Sequence, residues 1–363
     1  MRHRLDAIQI LRAIAAISVV ATHAIDRAVR TFPAQAPYSF LANFHSLRRL
    51  GEAGVDIFFV ISGFIMMYVH YEQFGDQGAT RRFIARRVIR VVPLYWALTA
   101  LAVVLLSIAP KLFFFHKGID APWVIGSFLF IMIAPSSGPT SPVIGQGWTL
   151  NYEMFFYAIF AIALLMPRRR AIPFIFATLG VLIAVGCVFS VQPAWFAVWT
   201  GTLLTEFLAG VAIAIAYKKA LPIFSKRVGQ LAILVGLLLF AATIVWAQPG
   251  NGWLRVLQWG VPAILIVCGA LSLKVRSSPW VSLGTLLGDA SYSIYMFQAF
   301  ALPFLAIALK ALLRGHSMPV DLAVCFLICM AVTASVGCWY IVERPMTRFL
   351  NASLRKREYR DTV

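Results

Sequence analysis

Arg12, His23, Asp56, Glu153 and Glu206 are ionisable side chains set inside long apolar runs of a 363-residue chain. An ionisable group in hydrocarbon costs about 3 kcal/mol or more unless it faces a bundle interior or a watery cavity, so each is a candidate for function. Histidine titrates nearest neutral pH and is the commonest general base. A carboxylate beside it fixes its tautomer and stabilises its charged form. His23 with Asp56 or Glu153 therefore suits acyl transfer to a hydroxyl. Each residue also fits a plainer role: His23 an interfacial histidine bonded to backbone, Asp56 an ion pair or helix cap, Glu153 a structural partner of a basic residue.

A second group is basic. Arg81, Arg82, Arg86, Arg87 and Arg90 lead into a proline and two aromatics, Pro93, Tyr95 and Trp96. On a helix, spacings of three and four gather Arg86, Arg87 and Arg90 onto one face. Guanidinium groups grip phosphates bidentately. The same patch also serves to orient a membrane protein.

Positioning these groups falls to membrane helices. The chain is 61% hydrophobic and 13% charged, with a mean hydropathy of +0.82, about half the charge of a soluble protein. Runs of about 20 apolar residues, the length that crosses a bilayer core, occur at 7–24, 51–71, 91–109, 147–166, 172–191, 195–217, 229–247, 253–273, 290–313 and 321–342. The stretch 123–134 is too short to span and reads as a re-entrant or interfacial piece. The expected fold is all-α and polytopic, with about ten transmembrane helices. The first run lacks a small-residue cleavage pattern and stays in the mature protein.

With ten spans and an inner N-terminus, 22 of the 32 basic residues fall on the inner side, as cytoplasmic loops require. Both termini are then cytoplasmic. Residues 1–345 form the transmembrane domain and 346–363 a basic cytoplasmic tail. The net charge of +18 sits in clusters between spans, which fits a lipid bilayer and anionic substrates and gives no nucleic-acid footprint. This frame puts His23, Asp56 and Glu153 in the outer third of the membrane and the five arginines at its inner face. The five cysteines lie within apolar runs without metal-ligand spacing, so neither a disulfide framework nor a metal site is expected.

The segments carrying these residues resemble the integral-membrane acyltransferase 3 family. LDAIQILRAIAAISVVATHA matches its opening, with Arg12 and His23 at the family's spacing. GVDIFFVISGF (54–64) is similar to G-V-D-x-F-F-V-x-S-G-F, and RRFIARRVIRVVPLYW to a basic stretch whose R-x-x-R falls on Arg87 and Arg90. GWTLNYEMFFY resembles W-S-L-x-x-E-x-x-F-Y, with Thr149 in place of serine. LGDASYSIYMFQ resembles L-G-x-x-S-Y-x-x-Y-L-x-H, and VERP the terminal E-R-P. Gln298 stands where many members have histidine. Glutamine takes up no proton at neutral pH, leaving that position a hydrogen-bonding role.

The resemblance implies a stand-alone member that O-acetylates exopolysaccharides, of the rhizobial succinoglycan type, in a bacterial inner membrane. Its donor would be acetyl-CoA or another acyl-CoA, and its acceptor a sugar hydroxyl on a lipid-linked or nascent polysaccharide. In that reading Arg86, Arg87 and Arg90 hold the coenzyme's phosphates and Arg12 lines the donor channel. Tyr292, Tyr295 and Gln298 add hydrogen bonds, and His23 is the base, or carries the acyl group, with Glu153 or Asp56 orienting it. The rival reading is a transporter or flippase of lipid-linked glycan, against which stands the lack of paired broken helices. A third is a noncatalytic scaffold in polysaccharide export.

Overall fold

The structure is a computed structural model that describes residues 5–44, 51–108, 119–136, 138–189, 193–221, 225–246 and 252–360. Among these residues there is no strand. The elements run α1 (Asp6–Thr31), a 3-10 turn (Pro33–Tyr38), α2 (Phe40–Asn43), a 3-10 turn (Gly51–Ala53), α3 (Gly54–His70), α4 (Ala79–Ile108) and α5 (Ala121–Phe128). Then come α6 (Trp148–Ala163), α7 (Arg168–Val188), α8 (Ala194–Trp199), α9 (Leu204–Lys218) and α10 (Lys226–Trp246). The one-turn α11 (Trp253–Arg255) continues through a π turn (Val256–Gly260) into α12 (Val261–Leu271). After α13 (Pro279–Asp289), α14 (Ser291–Leu312) and α15 (Val320–Cys338), a second π turn (Trp339–Glu343) opens α16 (Arg344–Arg360).

Among the described residues, nine helical stretches are long and apolar enough to cross a membrane: Asp6–Thr31, Gly51–His70, Ala79–Ile108, Arg168–Val188, Ala194–Lys218, Lys226–Thr243, Trp253–Leu271, Ser291–Leu312 and Val320–Leu354. Each matches a run expected from the sequence. The tenth run, 147–166, is helical over only 16 residues, Trp148–Ala163. The stretch at 123–134 contributes the eight-residue α5, too short to span.

The chain divides into two compact units, Met1–Val69 with Thr205–Val336, and His70–Leu204 with Gly337–Val363. In the first, α1 buries Leu11, Ala15, Ala16, Val19, Val20 and Ala24 and packs along α13 and α14. Helices α3 and α9 cross at glycines: a Cβ on Gly63 would meet the Phe207 carbonyl oxygen at 2.1 Å, and one on Gly210 the Val60 carbonyl oxygen at 2.1 Å. Lipid gives helices no hydrophobic reason to associate, so backbone proximity of this kind supplies the van der Waals contact that does.

Along that crossing Phe59 lies against Phe207 with ring centroids 4.7 Å apart, and both Phe64 and Tyr68 meet Tyr217 at 6.0 and 5.8 Å. Positions advance together on the two helices, so α3 and α9 run parallel. Two parallel spans start on the same side of a membrane, and the chain between them must cross an odd number of times. Among the described residues α4 and α7 are long and apolar enough for two of these crossings, and the parity calls for a third, for which the 16-residue α6 is the candidate.

In the second unit α4 and α6 run antiparallel. Thr80 Oγ1 donates to the Ala161 carbonyl at 3.3 Å, and at the other end a Cβ on Gly147 would lie 2.9 Å from the Tyr95 ring. Phe83, buried on α4, meets Tyr157 and Phe160 on α6. Helix α16 also packs on α4. Asp120 caps α5: its carboxylate accepts from the backbone N–H of Ser136 at 3.0 Å, the Ser136 hydroxyl at 2.9 Å and the N–H of Trp123 at 2.9 Å. The backbone bonds from Ser136 and Trp123 hold this carboxyl below the usual carboxylate range.

Candidate active site

The second unit gathers the basic stretch and Glu153. Helix α4 starts at Ala79, so all five arginines lie in its first 12 residues rather than in a separate loop. Arg86 points outward and is exposed, while Arg87 is half-buried, its guanidinium 5.9 Å from the Phe83 ring centroid and 5.8 Å from that of Tyr157. The Tyr157 hydroxyl donates to Glu153 Oε1. One turn along, Arg90 Nη1 donates to Glu343 Oε1 at 2.5 Å, and Glu343 is 1% exposed. Between Thr80 opposite Ala161 and Tyr95 opposite Gly147, the register sets Glu153 level with Arg87 and Arg90.

This differs from the depth read off the sequence. Counting from helix ends put Glu153 in the outer third and the arginines at the inner face. The long α4 carries Arg87 and Arg90 inward along the helix, and the antiparallel partner brings Glu153 to them through Tyr157. Glu343, from the E-R-P segment, and Tyr157 are the residues whose partnerships the sequence left unassigned.

The first unit holds the other candidates. Asp56, 0% exposed, receives a fork from Arg255: Nε donates to Oδ1 at 3.3 Å and Nη2 to Oδ2 at 2.8 Å. The ion-pair role open to Asp56 is thus realised, with a partner 199 residues away. Arg255 also lies 4.6 Å from the Trp259 ring centroid. On α1, Arg12 Nη1 donates to Gln9 Oε1 at 2.9 Å. His23 is half-buried near the far end of the same helix, and the charges acting on it are its helix neighbours Asp26 and Arg27.

Helix α14, packed against α1, carries Tyr292, Tyr295 and Gln298. Tyr295 sits edge-on to Phe58 at 5.9 Å. Gln298, wholly buried, donates Nε2 to the Tyr295 carbonyl at 2.9 Å, and its Oε1 meets no donor. A histidine at this depth could accept or hold a proton; glutamine supplies only the amide pair.

Arg255 escaped the sequence reading because it opens its span and so counted as an outer-loop charge. The helix Ala194–Lys218 is also interrupted between α8 and α9, and two helices contain π turns. Among the described residues no three His, Cys, Asp or Glu side chains gather as a metal site.

Comparison with known proteins decides between the readings. Residues 5–343 match the acyltransferase domain family Acyl_transf_3. The chain belongs to that family. This acyltransferase is 35% identical over 314 residues to the exopolysaccharide production protein ExoZ of Rhizobium meliloti (strain 1021), covering 82% of the chain and 90% of ExoZ. It is 27% identical over 267 residues to BcsY of Komagataeibacter xylinus, provisionally named a membrane-bound transacylase, covering 68% of the chain and 65% of BcsY. No solved structure matches it. The protein is a multi-pass membrane acyltransferase, and as such it binds an acyl donor.

Proposed function

We propose that this acyltransferase moves an acyl group, acetyl in the first instance, from cytoplasmic acyl-CoA to a sugar hydroxyl of an exopolysaccharide or its lipid-linked precursor. The single observation that carries this reading is the identity with ExoZ over nine-tenths of that protein's length. The host membrane is the bacterial inner membrane, with both termini on the cytoplasmic side.

Arg87, flanked by Arg86 and Arg90, holds the phosphates of the donor, and Arg12 with Tyr292, Tyr295 and Gln298 lines the path of its acyl arm. His23 acts as general base. It takes the proton of the sugar hydroxyl as that oxygen attacks the thioester carbonyl; the C–S bond breaks, and the proton passes to the departing thiolate. Glu153, bonded by Tyr157 beside Arg87, fits the donor end of the site, whereas Asp56 is already committed to Arg255 and acts through it.

The test is turnover by purified protein in detergent, supplied with acetyl-CoA and acceptor glycan. His23→Ala is expected to cut kcat by about 10²–10⁴-fold, the usual cost of losing a general base. Turnover within a few-fold of wild type would remove His23 from that role. Coenzyme-dependent labelling of glycan in reconstituted vesicles separates this function from glycan transport, which needs no acyl donor.

A further inference from the structure

Glu206 stands in α9 with 0% exposure, and neither of its carboxyl oxygens meets an N–H or O–H donor. Its polar neighbour is another carboxyl. Asp56 on α3 faces it closely enough for the two groups to interact directly, and Arg255 acts on both. Gly260, closing the π turn after Arg255, lets the backbone press against the acid: a Cβ there would lie 2.8 Å from Glu206 Oε1. On the same turn Gln258 buries an Oε1 that also lacks a donor. Single π turns inside α-helices are frequent at functional sites. Here the turn begins directly after Arg255, whose guanidinium binds Asp56.

Charge counting then limits what the cluster can be. The groups facing one another are Asp56 on α3, Glu206 on α9 and Arg255 on α11, with Glu52 on the preceding 3-10 turn also acting on Arg255. Arg255 satisfies Asp56 with two hydrogen bonds. A second ionised carboxylate against the first, without a donor, would be a buried, unpaired charge beside a like one, the costliest arrangement available. A proton between the two oxygens removes both faults. It neutralises one acid and gives the orphaned pair the donor it lacks.

We propose that Asp56 and Glu206 share a single proton above Arg255, forming a neutral three-helix clamp in which Glu206 is a positioning residue for acyl transfer. The clamp joins α3, which carries the G-V-D-x-F-F-V segment, to α9 and α11. Glu206 touches neither donor nor acceptor in this scheme and acts through Asp56 and Arg255. The positioning role rests on the function proposed above; the proton count does not.

The experiment uses the purified full chain in lipid nanodiscs at neutral pH. Infrared difference spectra between wild type and Glu206→Gln, in H2O and D2O, are expected to show a protonated-carboxyl C=O stretch that shifts on deuteration and is lost in the variant. Asp56→Asn is expected to lose the same band, because the pair titrates as one group. Each single variant keeps the cluster neutral and retains the wild-type thermal midpoint within a few degrees. The double variant Asp56→Asn/Glu206→Gln leaves Arg255 with Glu52 as its remaining acidic neighbour and lowers the midpoint below either single one. Absence of a deuterium-sensitive band that these variants remove would overturn the shared proton.

For positioning, Glu206→Ala is expected to lower kcat by about tenfold or more with the KM for donor within about twofold, since small misplacements of reacting groups cost rates of this order. Glu206→Gln, which retains a donor toward Asp56, restores most of the loss. Equal rates for all three proteins would overturn the positioning role. If wild type itself transfers no acyl group from acyl-CoA, the proposed function fails while the spectroscopic result still stands or falls alone.

Discussion

Two arginines three residues apart carry different tasks. Arg90 is engaged by Glu343, whose side chain is almost wholly buried, and its contribution is to tie the start of α16 to α4. Arg87 has no such carboxylate among the described ion pairs; it lies over aromatic rings and its buried Nε meets no acceptor. A guanidinium held on rings with donors unspent is suited to a phosphate. Arg87→Ala is therefore expected to raise the apparent KM for acyl-CoA about tenfold, the worth of one charge-assisted hydrogen bond. Initial rates across a donor series measure it, and an unchanged KM would take the phosphate away from Arg87. The family motif puts both arginines in one R-x-x-R; only their partners tell them apart.

Between helices, the crossing of α3 and α9 decides whether Asp56 and Glu206 meet at all. Gly210 has Val60 O and Phe64 N against the space where a Cβ would go. Gly210→Ala is expected to push the helices apart at a cost of about 1–3 kcal/mol, the usual range for overpacking. Thermal unfolding in detergent would show this as a lower midpoint, and an unchanged midpoint would mean that the crossing is looser than drawn. The capping of α5 gives a pH dependence. The Asp120 carboxyl is held below its ordinary range by backbone donors, so its contribution is complete above the unfolded value and disappears as pH falls through the folded one. Wild type should lose midpoint between about pH 5 and pH 2 relative to Asp120→Asn, and the two curves should converge in acid. Parallel curves across that range would exclude Asp120 as their source.

For the whole molecule, parallel α3 and α9 call for a third crossing between them, for which α6 is the candidate despite its 16 residues. A reporter or single cysteine at Ser136, before α6, and one at Arg169, after it, are expected on opposite sides of the membrane, with Arg169 on the side of both termini. Labelling with a membrane-impermeant thiol reagent in intact cells and inverted vesicles reads this directly. Labelling of both positions from one side would return α6 to a re-entrant position and place the termini on opposite faces. With ten crossings, 22 of the 32 basic residues fall into alternate connections, a bias set by insertion and not by packing.

The sequence by itself determined the medium, the helical class, the approximate spans and the family. The first three follow from composition and periodicity, because hydrocarbon admits few structures and each span announces itself over about 20 residues; the family follows from the motifs that resemble it. As candidates, His23, Asp56, Glu153 and Arg12 stood out as polar groups in apolar runs, and Arg86, Arg87 and Arg90 as a basic stretch at helical spacing. Their partners were not. Asp56 with Arg255, Arg90 with Glu343, and Glu206 beside Asp56 join positions between 150 and 253 residues apart, and no local pattern encodes which helices cross. Counting from helix ends also kept Glu153 apart from Arg87 and Arg90, which the antiparallel register of α4 and α6 sets level with it. Side-chain chemistry is written residue by residue, whereas the pairing of buried charges is fixed only when backbones pack closely enough to exclude every other partner.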